Sequence, residues 1–354
     1  MEIYKTIGVM SGTSLDGLDI AYCIFIFDDG KWTFQISKAT TIAYDEELKK
    51  NLVDLPESTA IDLAKTNVDF AYFIGAQINK FIQENKFQPD FIASHGHTIF
   101  HQPDEKYTLQ IGDGNAIAAT TGLTVIYDFR SLDVALGGQG APLVPIGDHL
   151  LFSQYDFCLN LGGFANTSFE QDDRRIAFDI CPVNIVLNEL AQIENLAFDE
   201  GGNLAKKGKV NLELLNELNS LDFYRMPPPK SLGREWVENT IQPILKKYKI
   251  SNLDLLATYT EHVAVQISEV LNENSGSSVL ITGGGAYNTH LIDRLKSLTK
   301  TSVHIPEPSL VEYKEALVFA LLGLLRLRNE VNCLSSVTGA TRDSSCGVIA
   351  NLNS

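Results

Sequence analysis

The chain is short of basic residues, of paired cysteines and of long apolar runs. Among 354 residues, 28 are Lys or Arg against 44 Asp or Glu, giving a formal net charge of −16. That deficit excludes a nucleic-acid groove, which needs a clustered basic face. A phosphorylated ligand would have to be gripped by local backbone dipoles and a metal rather than by the overall field. Five cysteines (Cys23, Cys158, Cys181, Cys333, Cys346) form no Cys-x-x-Cys pair. Their scatter argues against a disulfide framework or a structural zinc site and for a reducing compartment. The longest apolar run, Ala316 to Leu325, falls far short of the roughly 20 residues of a membrane span. No basic or apolar leader precedes the first strand, so a soluble, cytoplasmic protein is expected. The absence of any Gly-x-x-x-x-Gly-Lys-[Ser/Thr] stretch rules out a P-loop.

What remains is an ordinary globular composition, 44% hydrophobic and 20% charged, in a chain long enough for two domains. Thr6–Met10 reads as a buried strand, followed by a small-residue turn and a returning strand, Asp19–Phe27. Phe157–Leu161 opens a second such hairpin around Gly162-Gly163. Between and after them, strands alternate with helices, among them Ser58–Asn85, Leu253–Leu271 and Tyr313–Arg328. Phe91–Ser94 is read as a strand that ends in His95-Gly96-His97-Thr98. The pattern predicts mixed α/β sheets flanked by helices.

Four stretches carry chemistry. In Gly12-Thr13-Ser14-Leu15-Asp16-Gly17-Leu18-Asp19, glycines let successive N–H groups converge on an anion, hydroxyls add donors, and Asp16 or Asp19 could hold Mg²⁺. A plain β-turn is the blander alternative. Gly283-Gly284-Gly285 ends one strand and opens a helix, where backbone can approach a nucleotide closely; a loose turn would look the same. His95-x-His97 with His101 resembles a zinc set, but His95 and Thr98 also suit the lining of a sugar pocket. Asp179, at an expected strand-to-helix junction beside Cys181-Pro182-Val183-Asn184, is a candidate general base or merely a carboxylate answering a helix dipole. Glu315 carries the same ambiguity, and Arg130 and Arg234 are candidate contacts to ligand oxygens.

Taken in order, Val9–Asp19, Ser94–Pro103, Leu109–Asn115, Asp128–Pro145, Leu159–Ser168, Pro229–Glu235, Ile281–Asn288, Lys314–Ala320 and Ser336–Ala340 resemble the anhydro-N-acetylmuramic acid kinase family from end to end. The resemblance implies a two-domain actin-like ATPase (ribonuclease H-like) fold with a central inter-domain cleft. The domains expected are residues 1–128 joined by 345–354, and residues 129–344. It also implies a homodimer that uses ATP and Mg²⁺ in peptidoglycan recycling. In the implied reaction the 1,6-anhydro ring is opened by water and O6 is phosphorylated. Asp179 is the implied base and Glu315 orients the water. Gly12–Asp19 with Gly162, Gly163 and Gly283–Gly285 would bind ATP, Asp16 would meet Mg²⁺, and His95, Thr98, Arg130 and Asn184 would bind sugar.

The sequence departs from the family where Cys181 and Val183 replace two glycines, and at Asn188, His97 and His262. These changes bear on substrate choice more than on ATP binding. A kinase for a related amino or anhydro sugar, or a non-catalytic ATP-binding regulator, are the alternative readings.

Overall fold

The computed structural model describes residues 1–12, 15–273 and 276–352. Thr13 and Ser14 of the first glycine-rich turn therefore lie outside the described residues. The strands are β1 (Glu2–Ser11), β2 (Leu18–Asp28), β3 (Lys31–Ile42), β4 (Phe91–Gln102), β5 (Tyr107–Ile111), β6 (Thr124–Tyr127), β7 (Phe157–Leu161), β8 (Phe164–Gln171), β9 (Arg174–Pro182), β10 (Ser278–Thr282), β11 (Ser302–His304) and β12 (Val348–Ala350). By internal packing the chain divides into two units, Met1–Leu151 with Tyr313–Ser354, and Phe152–Glu312. The boundary expected at residues 128 and 129 lies inside the first of these.

The first unit holds a sheet in the order β12-β6-β4-β1-β2-β3, with β5 paired onto β4. Its first three strands form an antiparallel meander, whereas β4 runs parallel to β1 and β6 parallel to β4. The second unit has the order β9-β8-β7-β10-β11. Again the first three strands in sequence are antiparallel, and the next two continue parallel. Leaving aside β5 and the edge strand β12, the same order is thus built twice: an antiparallel meander of three strands whose first strand is continued by two parallel ones, β4 and β6 in the first unit and β10 and β11 in the second. This is the duplicated ribonuclease H-like topology of actin-like ATPases, and both hairpins read from the sequence are its opening meanders.

Burial explains why these segments are strands. From Thr6 to Ser11, β1 is buried on both faces, as a central strand with helices packed over it must be. The edge strand β3 alternates buried or half-buried residues with exposed ones over its first half. Helix Ala60–Asn85 covers the first sheet with Phe70, Ala71, Ile74, Ile78 and Phe81, one stripe at helical spacing. Thr59 caps its start by accepting the Asp62 N–H at 3.1 Å, and Lys86 ends it in the left-handed region. In the second unit, helix Asn252–Glu273 buries Leu256, Tyr259, Val263, Ile267 and Leu271 in a core shared with β7, β9 and β10. No described helix is long and apolar enough to cross a membrane.

Two elements differ from the sequence reading. Strand β4 does not stop at Ser94 but continues through the histidines to Gln102, because β5 pairs with it from His97 to Gln102. The last apolar helix begins at Pro308 rather than Tyr313 and breaks its helical dihedrals at Tyr313 (φ −113°, ψ 17°), where the division between the units falls.

Beyond Tyr313 this helix lies so close to β1 that a Cβ on Gly8 would overlap the Ala316 carbonyl oxygen. Backbone opposes backbone there, so no rotamer change relieves the clash. Gly8→Ala should therefore cost at least about 2 kcal/mol, within the usual range for overpacking. The measure is the midpoint of urea unfolding, and an unchanged midpoint would contradict the close approach.

Candidate active site

In the second unit, Asp179 sits on β9 within a bulge. Its pairing partner on β8 is Asn166, while Cys181 pairs with Ala165, so Ile180 is the extra residue. A bulge re-aims neighbouring side chains, and the strand is pinned on both sides of it. The Asp179 N–H donates to Lys230 O at 3.1 Å, and the carboxylate accepts the Leu232 N–H at 2.8 Å. No cation pairs with the carboxylate among the described residues. Burial pushes its pKa up to about 6 against the Leu232 hydrogen bond, which pulls the other way. A carboxylate held in place and poised near neutrality has the properties of a general base.

Next to Asp179, Cys181 and Val183 are fully buried. Glycines are not needed for this path, because Pro182 O accepts the Tyr259 hydroxyl at 3.1 Å and the Val183 N–H reaches Gly163 O at 2.8 Å. Asn184 opens helix Asn184–Ile193, and its side-chain amide donates to Leu161 O at 3.2 Å. His262 is structural: its Nδ1–H donates to Asn219 Oδ1 at 2.5 Å, its Nε2 accepts the Tyr224 hydroxyl at 2.9 Å, and burial lowers its pKa to about 3.

The two glycine turns of this unit meet. Thr282 on β10 pairs with Asn160 on β7, which places Gly283–Gly285 beside Gly162-Gly163 at the C-terminal ends of two parallel strands. Gly283 adopts φ +82°, and a Cβ there would come within 2.6 Å of Asn160 Oδ1. A Cβ on Gly285 would fall 2.7 Å from the Leu161 Cβ, whereas one on Gly284 would meet nothing within 4 Å. Gly163 and Gly284 are thus exposed backbone on a tightly packed base, a surface that a flat or anionic ligand can approach. Both carbonyls of Gly162-Gly163 are spent on the first amides of helix Asn184–Ile193.

In the first unit the end of β1 is anchored by a directed chain. Tyr44 donates its hydroxyl proton to Ser11 Oγ at 2.7 Å, and Ser11 donates to His97 Nδ1 at 2.9 Å. His97 is buried, and desolvation lowers its pKa to about 4, so the imidazole stays a neutral acceptor. In the turn beyond, Leu15 has φ +58° and its N–H returns to Gly12 O at 3.2 Å. Asp16 is exposed, Gly17 is packed under Ile42 O, and Leu18 points into the core. Asp19 accepts the Thr41 hydroxyl at 2.6 Å. Leu18 can therefore offer a ligand only its backbone.

His95 and Arg130 are brought together. The imidazole donates from Nδ1 to Gly96 O at 2.9 Å and accepts the Arg130 Nε–H at Nε2, also at 2.9 Å. Burial lowers the His95 pKa well below its ordinary value, and the Arg130 charge adds to this. Because His95 is only 4% exposed, it supports Arg130 rather than lining an open pocket itself. Thr98 is half-buried and accepts the Gln110 amide at 3.3 Å. Glu315 keeps solvent-exposed surface, while desolvation by surrounding protein raises its carboxyl against the pull of Arg130 and Lys314. Lys314 is itself neutralised by the buried Asp148 at 2.6 Å. Sequence reasoning missed that ion pair, although Asp148 stands three residues beyond the family-like stretch that ends at Pro145.

The sequence profile of the anhydro-N-acetylmuramic acid kinase family matches residues 4–351. The chain belongs to the anhydro-N-acetylmuramic acid kinase family. Among the curated members, that of Coxiella burnetii is 37% identical, the alignment covering 98% of this chain and 97% of its own. Those of Haemophilus influenzae and Hydrogenovibrio crunogenus are each 35% identical, with 97% of both chains covered. This is a carbohydrate kinase.

Asp179 has a consequence for stability as well as chemistry. Its folded pKa of about 6 lies above the unfolded value of 3.8, so ionising it costs stability. The cost is in full force above about pH 6 and absent below the unfolded value. Asp179→Asn, which keeps an acceptor for Leu232, should therefore melt higher than wild type at pH 7.5. The gap should close by about pH 4. A variant that melts lower at neutral pH would show the carboxylate to be stabilising instead.

Proposed function

We propose that this kinase converts 1,6-anhydro-N-acetylmuramic acid, ATP and water to N-acetylmuramic acid 6-phosphate and ADP, in the recycling of cell-wall peptidoglycan. The observation that supports the reading is the family match from residue 4 to residue 351, beside which stands the buried Asp179 carboxylate, its pKa raised to about 6, which we assign as the base. Asp179 takes a proton from water as the water oxygen attacks C1. The C1–O6 bond breaks, and O6 bonds to the γ-phosphorus of ATP as ADP leaves. The proton held by Asp179 then passes to solvent, which restores the base.

Phosphoryl transfer asks little covalent chemistry of the protein and much positioning. The exposed backbone at Gly163 and Gly284 suits the nucleotide, and so does the Gly12–Asp19 turn. Asn184 and Thr98 are assigned to sugar polar atoms, Glu315 to orienting the water, and Arg130, supported by His95, to sugar oxygens. Asp16 is an exposed carboxylate, and Asp19, bonded to Thr41, lies three residues on. Oxygen donors of this kind fit Mg²⁺, which binds through one or two carboxylates and waters. Bound with ATP, the ion neutralises phosphate charge. We also assign the protein to the cytoplasm, as a homodimer.

Run in ¹⁸O-water, the reaction should place label at C1 of the product and none in its phosphate. Asp179→Asn should lower kcat by about 10²–10⁴-fold with little change in the KM for ATP, the usual worth of a positioned base. Label in the phosphate, or a fully active Asp179→Asn enzyme, would overturn the reading.

A further inference from the structure

Arg130 is aimed by two groups that are not charged. Its Nε–H goes to His95 Nε2 and an Nη1–H to Gly140 O at 2.6 Å, and no other bond to described residues ties the guanidinium. The Gly140 carbonyl therefore sets the tilt of the fork, and what holds Gly140 sets Arg130. The Gly140 N–H ends on Asp133 Oδ2 at 2.8 Å. Asp133 has no exposed surface. Its other oxygen accepts the Thr338 hydroxyl at 2.8 Å and the Cys333 thiol at 3.0 Å. The loop closes round it: Gly138 N–H returns to Asp133 O at 2.9 Å, and Gln139 N–H reaches Thr338 O at 2.8 Å. A Cβ on Gly138 would overlap the carboxylate.

Asp133 is thus a buried carboxylate bonded only to neutral donors, with no lysine or arginine in salt-bridge reach among the described residues. Burying such a charge is costly, and a neutral side chain could satisfy part of the loop for less. What the carboxylate supplies beyond this is a charge-assisted bond to the N–H of Gly140, the residue whose own carbonyl, across its Cα, holds Arg130.

We propose that Asp133 is a positioning residue for the sugar: it stays out of contact with substrate and fixes Arg130 through the Gly140 peptide, with Thr338 and Cys333 holding the carboxylate in register. This rests on the reading of Arg130 as a sugar contact. Thr338 and Cys333 come from sequence more than 190 residues away (Asp133 to Cys333 is 200 positions, Asp133 to Thr338 is 205). The C-terminal segment thereby takes part in aiming Arg130.

The test uses the full-length enzyme. In Asp133→Asn the amide either turns its NH₂ to the Gly140 N–H and loses that bond, or turns it to Thr338 and Cys333 and leaves Gly140 a bond without charge assistance. The KM for sugar should rise about tenfold, with the KM for ATP and kcat changed less than about twofold. In an Arg130→Ala background, Asp133→Asn should add no further loss in kcat/KM for sugar, because both act through one group. Independently of activity, the ¹⁵N resonance of His95 Nε2, which accepts from Arg130, should move in Asp133→Asn. If the losses add, or if the His95 resonance and the sugar KM both stay at wild-type values while only the melting temperature falls, the proposal is overturned. If Arg130→Ala leaves the sugar KM unchanged, the assignment of Arg130 to sugar fails, and the His95 resonance alone decides whether Asp133 sets the arginine. Should Asp133→Asn not fold, Thr338→Val removes one donor and keeps the carboxylate. It should shift the same resonance and raise the sugar KM, with rescue by Thr338→Ser, and wild-type behaviour of Thr338→Val would overturn the proposal.

Discussion

Strands β1 and β7 are each paired antiparallel on one side and parallel on the other, which commits their backbone to the ladder until their last residues. A strand so placed can neither slide nor twist independently, and the turn that follows it is delivered at a fixed point. The rest of the chain depends on this. The first glycine-rich turn leaves from Ser11, the second from Leu161, and Gly283–Gly285 leaves from a strand parallel to β7. Flexible residues are useful at these points because what precedes them is rigid. Small side chains alone would have given loose turns, and rigid strands alone would have had no surface that backbone could offer.

Each unit handles charge in the same economical way. Asp179 is left without a cation, so desolvation dominates and its pKa rises to about 6. His97 and His262 are buried with acceptors or donors that suit neutral imidazole, and desolvation takes both well below the physiological range. These two histidines are therefore framework, whereas burial brings the Asp179 carboxylate close to neutrality. Arg130 illustrates the opposite balance. Burial lowers its pKa to about 10, opposed by the charges of Glu315 and Asp133, yet it stays cationic at neutral pH. A guanidinium withstands partial burial that would neutralise a histidine, because its ordinary value starts so much higher.

The histidine motif shows how far short-range reading reaches. From sequence, His95-Gly96-His97-Thr98 is a strand end with either a metal-binding or a pocket-lining look. In the fold it lies inside β4, His95 supports Arg130, and His97 holds Ser11 at the mouth of the first turn. Nothing within ten residues of the motif contains the information that Ser11 and Arg130 are its partners. The loop after Asp179 is similar. Cys181 and Val183 look like an awkward exchange for glycines until Tyr259, 77 positions away, is seen to hold Pro182 O.

Sequence by itself determined the elements with strong local causes. The hairpins follow from buried apolar runs broken by Gly and hydroxyl residues, the long helices from their apolar spacing, and the family from the order of its motifs. From residue type and neighbours Asp179 was legible only as a candidate, because a carboxylate before a helix serves a base or a helix dipole equally well, and its reading as the base came from the resemblance. Tertiary structure alone decided the partners: Asp148 for Lys314, Asp133 for Gly140 and Thr338, Leu232 for Asp179. It also decided that Leu18 turns inward and that β4 runs on past its histidines. The reason is physical. Periodicity and turn chemistry act over a few residues, whereas a hydrogen-bond partner or a desolvation cost is set by whichever distant segment the packed core brings alongside.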